Sequence, residues 1–216
     1  MKIQTIIAYF CALHITLQVA VAQEQLTANI LEQNAYRFSL DANHQMNKST
    51  TKFFNNLVGN HQFVGIAEVH NSEQLSYFTN ALLPILYTKG YRNFALELGP
   101  NSADVLQNLS LKPKDLSEKI KQLNRKYGKN HRSKTPLIFA NKVADALFLE
   151  EASKLGYNFW GLDQEFAYSF EMHLDNIHKL AVNPDKTLNK IYEEVKSLVH
   201  KNIFKKKVKG LPVYCW

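Results

Sequence analysis

The stretch Phe63-Val64-Gly65-Ile66-Ala67-Glu68-Val69-His70 is an apolar run that delivers a carboxylate and an imidazole at its end. The pattern recurs at Phe94-Ala95-Leu96-Glu97 and at Asn158-Phe159-Trp160-Gly161-Leu162-Asp163, each run again closing on a carboxylate. Short apolar runs bounded by polar residues read as buried strands. Helix-spaced segments separate them, and strands alternating with helices pair in parallel through crossovers. The predicted fold is therefore α/β, three layers with a mainly parallel central sheet, complete or incomplete, and flanking helices.

Strand 62–68 is followed by Asn71 as an N-cap, with Gln74 three residues on, and then by Leu75, Phe78, Leu82 and Leu86 at helical spacing. Pro84 should kink that helix and Lys89-Gly90 should end it, before a strand over Arg92 to Leu98. Gly99-Pro100-Asn101 breaks the chain ahead of a short helix from Ala103 to Leu109. Residues 112–133 are polar and basic and read as a helix plus a loop over the sheet edge. Thr135-Pro136 reads as an N-cap with Pro at the first helical position. Val143, Leu147, Phe148, Ala152 and Leu155 give the buried stripe of a helix closed by Gly156, and the third strand, 158–162, follows.

The N-terminus belongs to a different class. Lys2 supplies a positive start, Ile6 to Ala22 is apolar, and Ala20-Val21-Ala22 before Gln23 is a cleavage pattern. Residues 1–22 read as a secretory signal peptide cut after Ala22, which predicts a secreted or periplasmic protein. Residues 23–60 read as an N-terminal helical segment, with Phe53, Phe54 and Leu57 on a short helix, and 61–216 as the α/β domain. Cleavage removes Cys11 and leaves Cys215 as the only cysteine, so no intrachain disulfide is available. At 45% hydrophobic and 21% charged, the composition is that of an ordinary globular protein and names no function. The net charge of +7 gathers toward the end, in Lys201, Lys205, Lys206, Lys207 and Lys209. These lysines suit a solvated helix terminus, with weak contact to an anionic membrane surface as the alternative. No aromatic-interleaved basic pattern points to nucleic acid.

In parallel sheets, ligands bind beyond the carboxyl ends of the strands. Glu68, His70, Glu97, Asp163 and Gln164 all fall on that rim, with Glu73 just after it. Two chemistries fit a pocket holding Glu68, His70 and Glu97. In one, a carboxylate orients the imidazole, which takes a proton from water, while the second carboxylate serves as an acid. In the other, His70 with Glu68 or Glu97 ligates a divalent metal that acidifies bound water. The spacing does not choose between them. His173 and His178 lie five apart on a helix and do not share a face well. No Gly-x-Ser-x-Gly and no glycine-rich phosphate loop occurs, which argues against a serine hydrolase, a P-loop enzyme or a Rossmann dehydrogenase.

Gly65-Ile66-Ala67-Glu68-Val69-His70, a helix, and then Gly90-Tyr91-Arg92-Asn93-Phe94-Ala95-Leu96-Glu97 resemble the erythromycin-esterase-like and ChaN/Tiki-like superfamily, and Gly161-Leu162-Asp163-Gln164 is similar to its third core strand. The likeness covers residues 60–166. It implies that Glu68 and His70 belong to the active pocket and that Glu97 is the second-strand carboxylate. Esterases of the group hydrolyse a macrolide lactone with a His-activated water, Tiki-like members are metal-dependent peptidases, and ChaN-like members bind haem. The resemblance thus implies a hydrolase acting on a small-molecule or peptide substrate, or alternatively a haem- or metal-binding module. The Glu-x-His spacing is nearer the ChaN-like pattern. Because the chain stops at Val213-Tyr214-Cys215-Trp216, soon after one lysine-rich helix, a C-terminally shortened, inactive member is a further expectation.

Overall fold

The computed structural model describes residues 28–67, 69, 72–128, 135–137, 140 and 143–205. The chain divides into two compact units, residues 1–39 and 40–216. Within the first, α1 spans Ala28–Asn34. The signal-peptide segment lies outside the described residues. No described helix is long and apolar enough to cross a membrane.

The second unit is a mixed α/β structure, mostly helical. Helix α2 (Lys48–Val58) is capped by Asn47, whose side chain accepts from the Thr50 N–H. Helix α3 (Glu73–Thr88) runs without interruption through Pro84 and is capped by Ser72, which accepts from Leu75. The expected cap, Asn71, lies outside the described residues; the hydroxyl one residue later does the work. Strand β1 (Asn93–Leu96) is joined by α4 (Pro100–Ser110), α5 (Leu116–Gly128) and α6 (Val143–Leu155) to β2 (Asn158–Gly161). A 3₁₀ turn at Ala167–Ser169 leads into α7 (Phe170–Leu180), and α8 (Lys186–His200) ends in a π turn at Lys201–Lys205. Gly90 and Gly156, both at positive φ, end α3 and α6 where an L side chain would be strained.

The strands pair in parallel, Asn93 with Asn158 through Leu96 with Gly161. Their backbone bonds continue past the ladder, Leu162 to Leu96 and Asp163 to Leu98. One sheet face, with Phe94, Leu96 and Phe159, packs into a core shared with Leu83, Leu106, Ile120, Leu149 and Ala152. The other face carries Ala95 and Trp160, the latter 56% exposed. On the far edge of β2 the Phe159 N–H donates to the Gln107 side chain of α4, so that edge is closed to another strand.

Two expectations are corrected. Residues 62–67 form no strand; Val64 and Ile66 pack onto the α2/α3 cluster of Phe54, Val58, Leu82 and Leu86 while Phe63 is 88% exposed. The alternating apolar residues are satisfied by helices, not by a ladder to β1. Thr135-Pro136 does not open α6 either. Thr135, Pro136 and Leu137 form a buried bend, and Asn124 of α5 holds it by accepting from the Leu137 N–H and donating to the Leu137 carbonyl. Pairing both backbone groups of Leu137 is what lets an irregular segment sit in the core.

Tyr157 fastens β2 to α3, its hydroxyl donating to the Leu83 carbonyl at 2.9 Å. Burial pushes its phenol up to about 12. Tyr157→Phe keeps the ring contacts with Tyr87 and Phe94 and should cost about 1 kcal/mol in a urea melt at pH 7. A phenol whose pKa is raised by folding gives its full stabilisation below its unfolded value of about 10 and loses it as the pH climbs to about 12. The wild-type advantage over the phenylalanine variant should therefore shrink across that alkaline window.

Candidate functional site

The parallel register decides which side chains meet at the carboxyl end of the sheet. Glu97 follows β1 directly, half-buried and level with Leu162. Asp163 is also half-buried, level with Leu98, and its carboxylate accepts from the Gln164 N–H at 2.7 Å. Gln164 itself is exposed. Glu73 stands exposed in the first turn of α3, where an acidic side chain suits the helix dipole. Glu68 and His70 lie outside the described residues. Arg92 is engaged at the opposite end of β1, stacked 3.7 Å from the Tyr87 ring and donating to the Tyr87 and Tyr91 carbonyls.

The same rim holds a cluster that the sequence patterns did not single out. Glu165, four residues beyond β2, accepts from the Asn101 N–H at 2.6 Å and the Ser102 N–H at 3.2 Å, at the N-terminus of α4. Its other oxygen accepts from the Ser102 hydroxyl at 2.7 Å, and His173 of α7 lies 2.8 Å from it. The buried Ser169 hydroxyl stands 3.4 Å away. Burial opposes the ionisation of Glu165, but the Ser102 hydroxyl, His173 and the Ser102 backbone outweigh it and hold the carboxyl below its usual range. A Cβ on Gly99 would meet the Glu165 carboxyl carbon at 2.2 Å, so a side chain there would push the carboxylate off these donors. The sequence carried a partial signal in Gly99-Pro100-Asn101-Ser102, a helix start, but nothing local linked it to a glutamate 63 positions away.

The arrangement is a half-buried, ionised carboxylate holding an imidazole at the sheet's carboxyl end, with Glu97 and Asp163 on the same rim. It can accept and deliver protons. Among the described residues no group of three or more His, Cys, Asp or Glu is arranged to hold a metal. The expected metal set of His70, Glu68 and Glu97 falls mainly outside them. The tyrosines that a haem site would draw on are occupied in packing. Tyr77 stacks on His44 at 3.5 Å, Tyr87 lies under Arg92, and the Tyr91 hydroxyl donates to the Val58 and His61 carbonyls. Of the three, only Tyr91 has its hydroxyl engaged in a described hydrogen bond. In comparisons with protein-family models, curated proteins and solved structures, nothing matches this chain.

Proposed function

We propose that this protein is an exported hydrolase of the erythromycin-esterase/Tiki-like type that activates water at the carboxyl end of its sheet, on a small-molecule or peptide substrate. His70 is the base, Glu68 orients it, and Glu97 is the acid. The observation that supports this reading is the parallel pairing of β1 and β2, which ends both strands on one rim with Glu97 and Asp163 level with successive positions. Acidic and proton-accepting groups at that end of a parallel sheet are where a catalytic site is built. The reading carries the three-layer arrangement with it: a second helical layer would cover the face bearing Ala95 and Trp160. Any further parallel strand would join on the β1 side, because Gln107 closes the other edge.

A panel of activated esters and short peptides, with the purified protein analysed for metal, tests the reading. His70→Ala and Glu97→Gln should each lower kcat about 100-fold or more, the scale of a lost general base or acid. Wild-type rates in both variants would overturn it. Zinc, manganese or cobalt that is bound by wild type and lost in His70→Ala would instead assign the same residues to metal-assisted hydrolysis.

A further inference from the structure

We propose that His173 is a second proton-accepting group of the rim, with Nδ1 as the working atom and Glu165 as its positioning residue; this rests on the hydrolase reading above. The ionised Glu165 carboxylate is an acceptor only. Two backbone N–H groups and the Ser102 hydroxyl already point at it. At 2.8 Å from the same carboxylate, His173 Nε2 must carry the hydrogen, since a lone pair there would face an anion. Ser102 Oγ, 3.3 Å from Nε2, has given its own hydrogen to Glu165 and can share that of the ring. The neutral imidazole is thereby fixed in one tautomer, with its lone pair on Nδ1. Among the described residues Nδ1 makes no hydrogen bond, and the His173 side chain keeps 16% of its surface.

A carboxylate that fixes the tautomer and orientation of an imidazole whose other nitrogen is open is the base-and-orienter arrangement of acyl hydrolysis. Glu165 is suited to the part because the α4 N-terminus holds it ionised and in place before any substrate arrives. In ester hydrolysis, Nδ1 takes a proton from water as the water oxygen bonds to the carbonyl carbon and the carbonyl π pair moves onto its oxygen. The oxyanion pair then re-forms the carbonyl as the ester C–O bond breaks, and the leaving oxygen takes that proton from Nδ1–H. Glu165 is the ionisable group bonded to His173 among the described residues, and it keeps its charge throughout.

Nitrogen-15 NMR of the purified protein and p-nitrophenyl acetate kinetics test this together. The expected spectrum shows His173 as the Nε2–H tautomer, and Glu165→Gln removes that preference. His173→Gln retains an amide donor toward Glu165 but has no base; it should lower kcat about 100-fold with KM unchanged. Imidazole in the buffer should restore rate to His173→Ala beyond the ester hydrolysis that the same imidazole gives without protein, and should add nothing to the wild type beyond that background. An Nδ1–H tautomer, or a wild-type rate in His173→Gln while His70→Ala is inactive, overturns the assignment of His173 alone. A wild-type protein that turns over no ester overturns the hydrolase reading and this assignment with it.

Discussion

Asp175→Ala should lower the stability of the protein by about 3 kcal/mol at pH 7, a large share of the 5–15 kcal/mol typical of a domain. Helix α8 buries no side chain fully, so its attachment is polar, and Asp175 of α7 is its centre. One carboxylate oxygen accepts from Tyr192 and Lys196 of α8, both at 2.6 Å. The other accepts from Tyr127 of α5 at 2.8 Å, with Lys126 at 3.4 Å. The Asp175 side chain is only 8% exposed, so its removal strips two tyrosine hydroxyls and a lysine of their common acceptor. The loss stays near the low end of what breaking a buried pair costs, because Lys126 is largely exposed and Lys196 reaches water. His178 to Asn189 at 2.9 Å and the His178 stack on Tyr192 tie α8 to α7 elsewhere. The measurable sign is a lower urea midpoint together with loss of amide-exchange protection over 186–200.

The pH dependence follows from the same carboxylate. Burial works against its ionisation, but the bonds from Lys196, Tyr192 and Tyr127 prevail and hold it far below the usual aspartate range. A group whose pKa is depressed by folding contributes stability above its unfolded value of about 3.9 and loses it as the pH falls through the folded one. Urea midpoints of the wild type should therefore fall on acidification below about pH 4, and Asp175→Ala should show a shallower fall. A residual slope should persist in the variant, since Glu165 and Glu150 are depressed too.

Gly161→Ala should cost about 3 kcal/mol, the upper part of the range for overpacking, and should open the candidate site. A Cβ at Gly161 would lie 2.4 Å from the Gly99 carbonyl oxygen, 2.6 Å from its carbon and 2.6 Å from the Leu98 oxygen. All three are backbone atoms, so no side chain can swing away. Relief requires separating the ends of β1 and β2, at the expense of the bonds from Leu162 to Leu96 and Asp163 to Leu98. The shift would also move the α4 N-terminus that holds Glu165. Gly65→Ala is the matched control, since nothing lies within 4 Å of its added Cβ; its change should stay within about 0.5 kcal/mol. Equal urea midpoints for the two variants would refute the close-approach account.

The elements that the sequence announced are those with a local physical signature. The 3.6-residue apolar spacing of Leu75, Phe78, Leu82 and Leu86 became α3, and the segment ending at Leu155 became α6, each closed by the expected glycine; the buried face of α6 is Ala144, Leu149 and Ala152, while Val143 and Leu147 of the expected stripe are exposed. Phe94-Ala95-Leu96 and Asn158-Phe159-Trp160 became paired parallel strands because each apolar face had the same helical core to enter. Phe63 to Ala67 carries an equally apolar run yet joins no ladder, since its alternate residues found burial against α2 and α3. Hydrophobic pattern says that a segment will be buried on one side, not what will bury it.

For the site, the amino acids alone marked Glu97 and Asp163, because a carboxylate after a short apolar run stands out against its neighbours; the run ahead of Glu68 carries the same pattern and forms no strand. Glu165 and His173 have no such signature: one sits in a polar loop, the other in a helix with Glu171 and Asp175. Only the tertiary structure brought Glu165 to the start of α4 and His173 to Glu165, because long-range hydrogen bonding depends on where chain ends meet in space. The sequence by itself determined two short apolar strands, 93–96 and 158–161, with helices between them and a carboxylate soon after each. The packing of Gly161 against Gly99, a contact between backbones that no residue pattern encodes, decided how those ends come together.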